Sequence, residues 1–266
     1  MFSESGEFFF LAAPADVTAK GLTSGGIKVS WTLSDGATKY NVYRKVSGGS
    51  WENIGYSRTN SYTDTTAEAG TLYYYRVRAQ VSKTTSAYSA NASARWLAAP
   101  AAPALTNYTS GIKATWGEVT GATIYYVWRA EGGGAFAKIG SSRTTSYVDK
   151  TAAAGKTYRY AVKARVSDTY SALGAEAKTV RLETPAVTIK AYASGLKLTW
   201  GEVPGATLYN IWRASPGGAY EKIGTSRTLA YVDRTVESGT KYSYYVVAQV
   251  SKFVSAHSNT VTATAK

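Results

Sequence analysis

His257 is the only histidine in the 266 residues, and there is no cysteine. A general base or nucleophile needs partners to orient and activate it. Here no second histidine, no thiol and no Gly-x-Ser-x-Gly turn supplies them. His257 therefore reads as an ordinary surface or turn residue. The carboxylates that draw notice are Asp64, Asp149 and Asp233, which close Tyr62-Thr63-Asp64, Tyr147-Val148-Asp149 and Tyr231-Val232-Asp233. A metal site needs several oxygen ligands together. One carboxylate ahead of a threonine-bearing turn instead suits bonding to that turn's backbone N–H groups. The glycine pairs Gly48-Gly49, Gly132-Gly133 and Gly217-Gly218 lack the Lys-Ser/Thr and the helix of a phosphate loop. No catalytic residue, metal site or cofactor is predicted.

Surface chemistry is the other possibility. If Tyr40 and Val42 point inward, then Tyr43, Trp128 and Trp212 point outward from the same sheet, joined by Tyr126 and Tyr245. Trp51, Phe136 and Tyr220 hold an equivalent place one strand on, and the glycine turn leaves their facing open. An exposed ring beside Arg78 or Arg165 suits stacking on a sugar ring or a base. The alternative is cross-strand packing, with arginine stems covering the rings. Arg58, Arg143 and Arg227 sit in repeated Ser-Arg-Thr triplets. They either track a regular polyanion or are solvated turn residues copied by duplication.

The elements that would position these residues recur. Trp31, Trp116 and Trp200 lie 85 and then 84 residues apart, each followed five residues later by Gly-Ala-Thr. A fixed period with the same aromatic set per unit means one architecture in tandem. Within the first unit, strand signals fall at 16–20, 27–33, 38–45, 51–56, 61–64, 71–81 and 86–95. Seven short strands parted by turn residues argue an all-β sandwich. In the sixth, Tyr73, Tyr75, Val77 and Ala79 alternate inward, matched by Tyr158, Tyr160, Val162, Ala164 and by Tyr242, Tyr244, Val246, Ala248. The expected divisions are a leader at 1–13 and domains at 14–97, 98–182 and 183–266. Short proline-bearing joints between them predict a semi-rigid rod.

The units resemble fibronectin type III domains of the bacterial and phage kind. The likeness rests on the second-strand tryptophans Trp31, Trp116 and Trp200. It rests also on the third-strand Tyr-x-Val/Ile-x-Arg, seen as Tyr40 to Arg44, Tyr125 to Arg129 and Tyr209 to Arg213. The Gly-x-x-Tyr-x-Tyr-x-Val-x-Ala run completes it. The resemblance covers nearly the whole chain after residue 13. It implies three tandem immunoglobulin-like β-sandwiches, with Trp31, Trp116 and Trp200 in the cores and Tyr73, Tyr158 and Tyr242 as tyrosine-corner residues. The Arg-Gly-Asp loop of some members is missing.

A net charge of +13 and a pI of about 9.6 favour anionic partners or a lysine- and arginine-rich surface. No stretch is long and apolar enough to span a membrane, so no membrane insertion is expected. Residues 1–14 carry Glu4 and Glu7 where a secretion signal carries basic residues. Phe8, Phe9, Phe10 and Leu11 could add as a strand to a partner's sheet, or cover the open end of the first unit. Together these features predict a non-enzymatic display and adhesion protein. Its expected place is a virion surface component of a phage, joined to a larger assembly through the leader. There it would bind glycans weakly, with a homo-oligomer possible within the assembly. The alternatives are a bacterial cell-surface or secreted spacer and adhesion module, and a binder of polyanions, nucleic acid or teichoic acid. Nucleic acid is not the expected partner.

Overall fold

The computed structural model describes residues 10–266, and among them every regular element is a strand. The first repeat forms β1 (Ala15–Gly21), β2 (Ile27–Thr32), β3 (Lys39–Val46), β4 (Glu52–Ser57), β5 (Ser61–Asp64), β6 (Tyr73–Val81), β7 (Thr84–Thr85) and β8 (Ala92–Ala94). The second forms β9 (Ala104–Tyr108), β10 (Gly111–Thr115), β11 (Ile124–Glu131), β12 (Ala137–Ser142), β13 (Ser146–Asp149), β14 (Thr157–Val166), β15 (Thr169–Tyr170) and β16 (Ala177–Val180). The third forms β17 (Val187–Tyr192), β18 (Gly195–Trp200), β19 (Leu208–Ala214), β20 (Glu221–Ser226), β21 (Ala230–Asp233), β22 (Lys241–Val250), β23 (Phe253–Val254) and β24 (Val261–Thr264).

Each repeat builds the same pair of sheets. In the first, β1-β2-β5 form a three-stranded sheet, and β4-β3-β6-β7 with β8 on β6 form a five-stranded one. The second and third repeats follow the same order. The result is three immunoglobulin-like sandwiches, as the tandem pattern predicted. Backbone proximity also groups the chain into two compact units, whose border runs through the second repeat rather than between repeats. Residues 117–126 and 163–174 go with the first unit, and 127–162 with the other.

Period-two alternation explains the cores. Tyr73, Tyr75, Val77 and Ala79 of β6 are buried, facing Ile27, Val29 and Trp31 of β2. Trp31 tilts against Tyr40 at 5.4 Å, and Trp200 against Tyr209 at 5.3 Å. Trp116 is buried too. The tyrosine corners form as the resemblance implied. The Tyr73, Tyr158 and Tyr242 hydroxyls accept from the backbone N–H of Glu68, Ala153 and Glu237, five residues upstream, at 3.3, 3.0 and 3.2 Å.

Two expectations change. The last strand of the first repeat, expected unbroken over 86–95, is present there only as β8, with the short β7 ahead of it. Between them Ser86 and Ser89 accept the N–H of Ala79 and Val77 on their hydroxyls, both at 2.9 Å. Their own N–H groups donate to the carbonyls of those same residues. The donors of β6 are thus satisfied without a regular strand. The third repeat does the same with Ser255 and Ser258. The second change concerns the leader. Leu11 is 4% exposed and packs in the first core, so it is not available to a partner, whereas Phe10 is 84% exposed. Phe8 and Phe9 lie outside the described residues.

Candidate functional site

The one titratable constellation present in every repeat is internal. Asp64 is buried at the end of β5 and receives four hydrogen bonds. The Thr66 N–H (3.0 Å) and hydroxyl (2.8 Å) donate to Oδ1, while Arg44 Nη1 (2.9 Å) and the Tyr75 hydroxyl (2.8 Å) donate to Oδ2. Asp149 repeats this with Thr151, Arg129 and Tyr160, and Asp233 with Thr235, Arg213 and Tyr244. The turn-capping role expected of these aspartates is therefore present, together with a cross-sheet ion pair that was not anticipated. Burial alone would raise the Asp64 pKa. The bonds from Thr66, Arg44 and Tyr75 outweigh it and hold the carboxyl below its ordinary value. Burial, then the bond to Asp64, pushes the Tyr75 phenol well above 10. Such groups are locked in one protonation state near neutral pH, which suits architecture and not proton transfer.

The outer face of each five-stranded sheet carries the sequence-predicted aromatics, and a β-bulge settles their facing. Val42 pairs with Gly55 and Tyr43 with Asn53, leaving Ile54 as the extra residue of β4. The Tyr62 hydroxyl donates to the freed Ile54 carbonyl at 2.7 Å, and a Cβ on Gly55 would meet that hydroxyl at 2.7 Å. The bulge brings Trp51 to the same face as Tyr43. In β20 the extra residue is Ile223, held by Tyr231, and Tyr220 reaches Tyr245.

From there the three faces diverge. In the first, the Arg76 guanidinium fills the aromatic cluster, 3.6 Å from the Tyr88 ring and 4.3 Å from that of Trp51. Tyr43 meets Tyr88 edge-on at 5.1 Å. Arg78 is fastened to the Ser86 carbonyl at 2.9 and 3.1 Å. In the second, Tyr126 stacks on Tyr170 at 6.2 Å and accepts from Arg165 at 2.7 Å. Trp128 is half-buried, and its indole N–H makes no hydrogen bond. In both faces an arginine lies against a ring.

The third face has no arginine in its cluster. Position matches position along the repeat, so Tyr245 stands where Arg76 does, and Val247 where Arg78 does. Trp212 and Tyr245, direct cross-strand partners, stack at 5.8 Å and 17°. Tyr220 lies 4.7 Å and His257 5.3 Å from Tyr245. This face forms one wall of a cleft of about 870 Å³ whose opposite wall is β9 and the turn after it, at Leu105–Thr109. Asn107 fixes that wall. Its amide donates to the carbonyls of Val180 (2.9 Å) and Val254 (3.0 Å) and accepts from the Leu182 N–H (3.2 Å). The buried Arg181 adds bonds to the Tyr108 and Thr109 carbonyls at 2.9 and 3.2 Å. Sequence reasoning does not single out Tyr88, Arg76, Asn107 or Asn210. His257 was read as bland, though its place two residues past Ser255 puts it beside Tyr245.

Arg58, Arg143 and Arg227 are exposed at loop tips. The serine before each accepts the N–H of the threonine after it at 3.1 Å. The serine and threonine are thus structural, and the arginine side chain is not part of the turn. Among the described residues no group of three or more His, Asp or Glu is placed to hold a metal ion.

The fibronectin type III model matches residues 12–95. Residues 12–95 are a fibronectin type III domain, and the three sandwiches are fibronectin-like repeats in tandem. The second and third repeats carry the same sheets, corners and aspartate centres as the matched one. Exoglucanase B of Cellulomonas fimi is 28% identical over 274 residues, covering 88% of this chain and 24% of its own length. Amylopullulanase of Thermoanaerobacter thermohydrosulfuricus is 42% identical over 73 residues, covering 26% of this chain and 5% of its own. Among solved structures, a Fn3-like protein from Clostridium thermocellum is 34% identical, with 32% of this chain and 92% of that one covered at a TM-score of 0.30. The chain therefore spans about a quarter of the first relative and far less of the second.

Proposed function

We propose that this chain is a non-catalytic bacterial spacer and adhesion module that works outside the cell, alongside polysaccharide-degrading activity. The observation that carries the reading is the match to Exoglucanase B, which runs through 88% of the chain and hence through the tandem, not one domain. The internal aspartate centres agree with it, because the repeated polar chemistry is spent on holding sandwiches together. Polysaccharides too large to enter a cell are met outside it, which fits the secreted alternative better than the virion surface. The deciding experiment reads the genomic reading frame and its neighbours. A hydrolase domain or wall anchor in the same frame is the expected result. Capsid or tail genes alongside it would restore the virion reading. A reducing-sugar assay on cellulose and starch should show no release by the chain alone.

A second reading, polyanion binding, is favoured by the +13 charge and the three exposed loop arginines. Binding to teichoic acid should then weaken steeply from low to moderate salt, and be reduced in Arg58→Ala, Arg143→Ala and Arg227→Ala together. A salt-insensitive interaction would exclude it.

A further inference from the structure

We infer that the cleft beside Trp212 and Tyr245 is a binding site for an uncharged gluco-oligosaccharide. The inference rests on the reading of the chain as a partner of polysaccharide-degrading proteins.

The repeats diverge within one chain. The three sandwiches keep the same core and the same aspartate centre, yet the position of Arg76 is Ala161 in the second repeat and a ring, Tyr245, in the third. In the first repeat Arg76 sits against Tyr88 and Trp51, so a cation already occupies the cluster. In the third, Trp212 and Tyr245 stack on each other, with Tyr220 and His257 packed against Tyr245. Rings grouped in this way offer the C–H faces of a pyranose an apolar surface of matching width. The volume, about 870 Å³, lies in the usual range of small-ligand sites, roughly 300–1,000 Å³.

The cleft lining also holds an unmet hydrogen bond. Asn210 lines the cleft, is 5% exposed, and donates its amide N–H to Gln249 Oε1 at 2.7 Å. Its Oδ1 is buried with no partner. A buried acceptor left unpaired costs free energy that a hydroxyl donor would recover. The matching Asn41 of the first repeat makes the same bond to Gln80 at 2.7 Å, but its Oδ1 is not left buried and unpaired.

No carboxylate lines the cleft, and its charged groups are the exposed Lys222 and Lys252. That composition does not select a cation. An aromatic wall with one buried acceptor and two flexible donors fits a neutral polyhydroxylated chain.

The test is a titration of the full ¹⁵N-labelled chain with cellohexaose and, separately, with maltohexaose, followed by NMR. With at least one of them, amide shifts should cluster at Trp212, Tyr245, Val254 and Leu105–Tyr108. Affinity should fall about tenfold or more in Tyr245→Arg, which places at this position the side chain the first repeat carries there. Trp212→Ala should do the same. If Trp212→Ala does not fold, Tyr245→Arg decides, since its site is half-exposed. No shift with either sugar, shifts elsewhere, or shifts that survive Tyr245→Arg would each overturn the inference. None of these outcomes bears on the reading-frame test above, so the site can fail while the spacer reading stands.

Discussion

At the scale of single residues, the same few side chains do the same work three times. Each second-strand tryptophan fills the middle of a sandwich, and no neighbouring side chain can grow to replace it. Trp116→Ala should cost about 3–5 kcal/mol. Against a typical domain margin of about 5–15 kcal/mol, that threatens the fold of its repeat. Denaturant unfolding followed by circular dichroism measures it. Exposed ion pairs behave differently. Lys156 and Glu131 lie 3.2 Å apart, both largely in water, and their loss should change stability by no more than about 1 kcal/mol. Much of this level was legible in the sequence. The tryptophans, the inward tyrosine stripe and the corner tyrosines follow from period-two alternation and fixed offsets. The aspartate centre was legible only in part. Asp64 announced its turn through Thr66, two residues on, but Arg44 and Tyr75 reach it from strands of the other sheet. Local pattern does not report which residues face each other across a core.

At the scale of elements, the bulge in the fourth strand of the repeat shows how one extra residue aims a surface. Gly224 leaves room for the Tyr231 ring, whose hydroxyl takes up the Ile223 carbonyl. A Cβ there would lie 2.6 Å from that hydroxyl. Gly224→Ala should therefore cost about 1–3 kcal/mol by overpacking. It should also shift Tyr220 relative to Tyr245. Thermal melting checks the first effect, and NMR contacts between the two rings check the second. The glycine hairpin made the register of this strand ambiguous from sequence, because a slip of one residue inverts every side chain. The same holds for the final strand, where serine hydroxyls stand in for the ladder. Ser86 and Ser89 read as ordinary strand residues until Ala79 and Val77 are seen opposite them.

At the scale of the whole molecule, three aspartates and three tyrosines set a common pH window. Each aspartate has a folded pKa below its ordinary 3.8. Its contribution is therefore complete above that value and is lost as pH falls through the folded one. Tyr75, Tyr160 and Tyr244 are raised above 10.0. Their contribution is complete below 10.0 and is lost as pH climbs above it. Stability should thus hold a plateau between these limits and fall on both sides. Melting temperature against pH reads the plateau. The cleft of the third repeat was the least legible feature at any scale. Tyr245 and Trp212 were candidates from alternation, but Leu105–Thr109 lies about a hundred residues away in sequence.

All of this depends on the repeated aspartate centre being a structural fastening and not reaction machinery, and Asp149→Asn tests that most directly. Its unfolding free energy should be about 1–3 kcal/mol below that of the parent chain at neutral pH, because the half-buried Arg129 and the buried Tyr160 hydroxyl lose the charged acceptor they share. The acid-side loss of stability should shrink in step. An unchanged unfolding free energy and an unchanged acid limb would contradict the account.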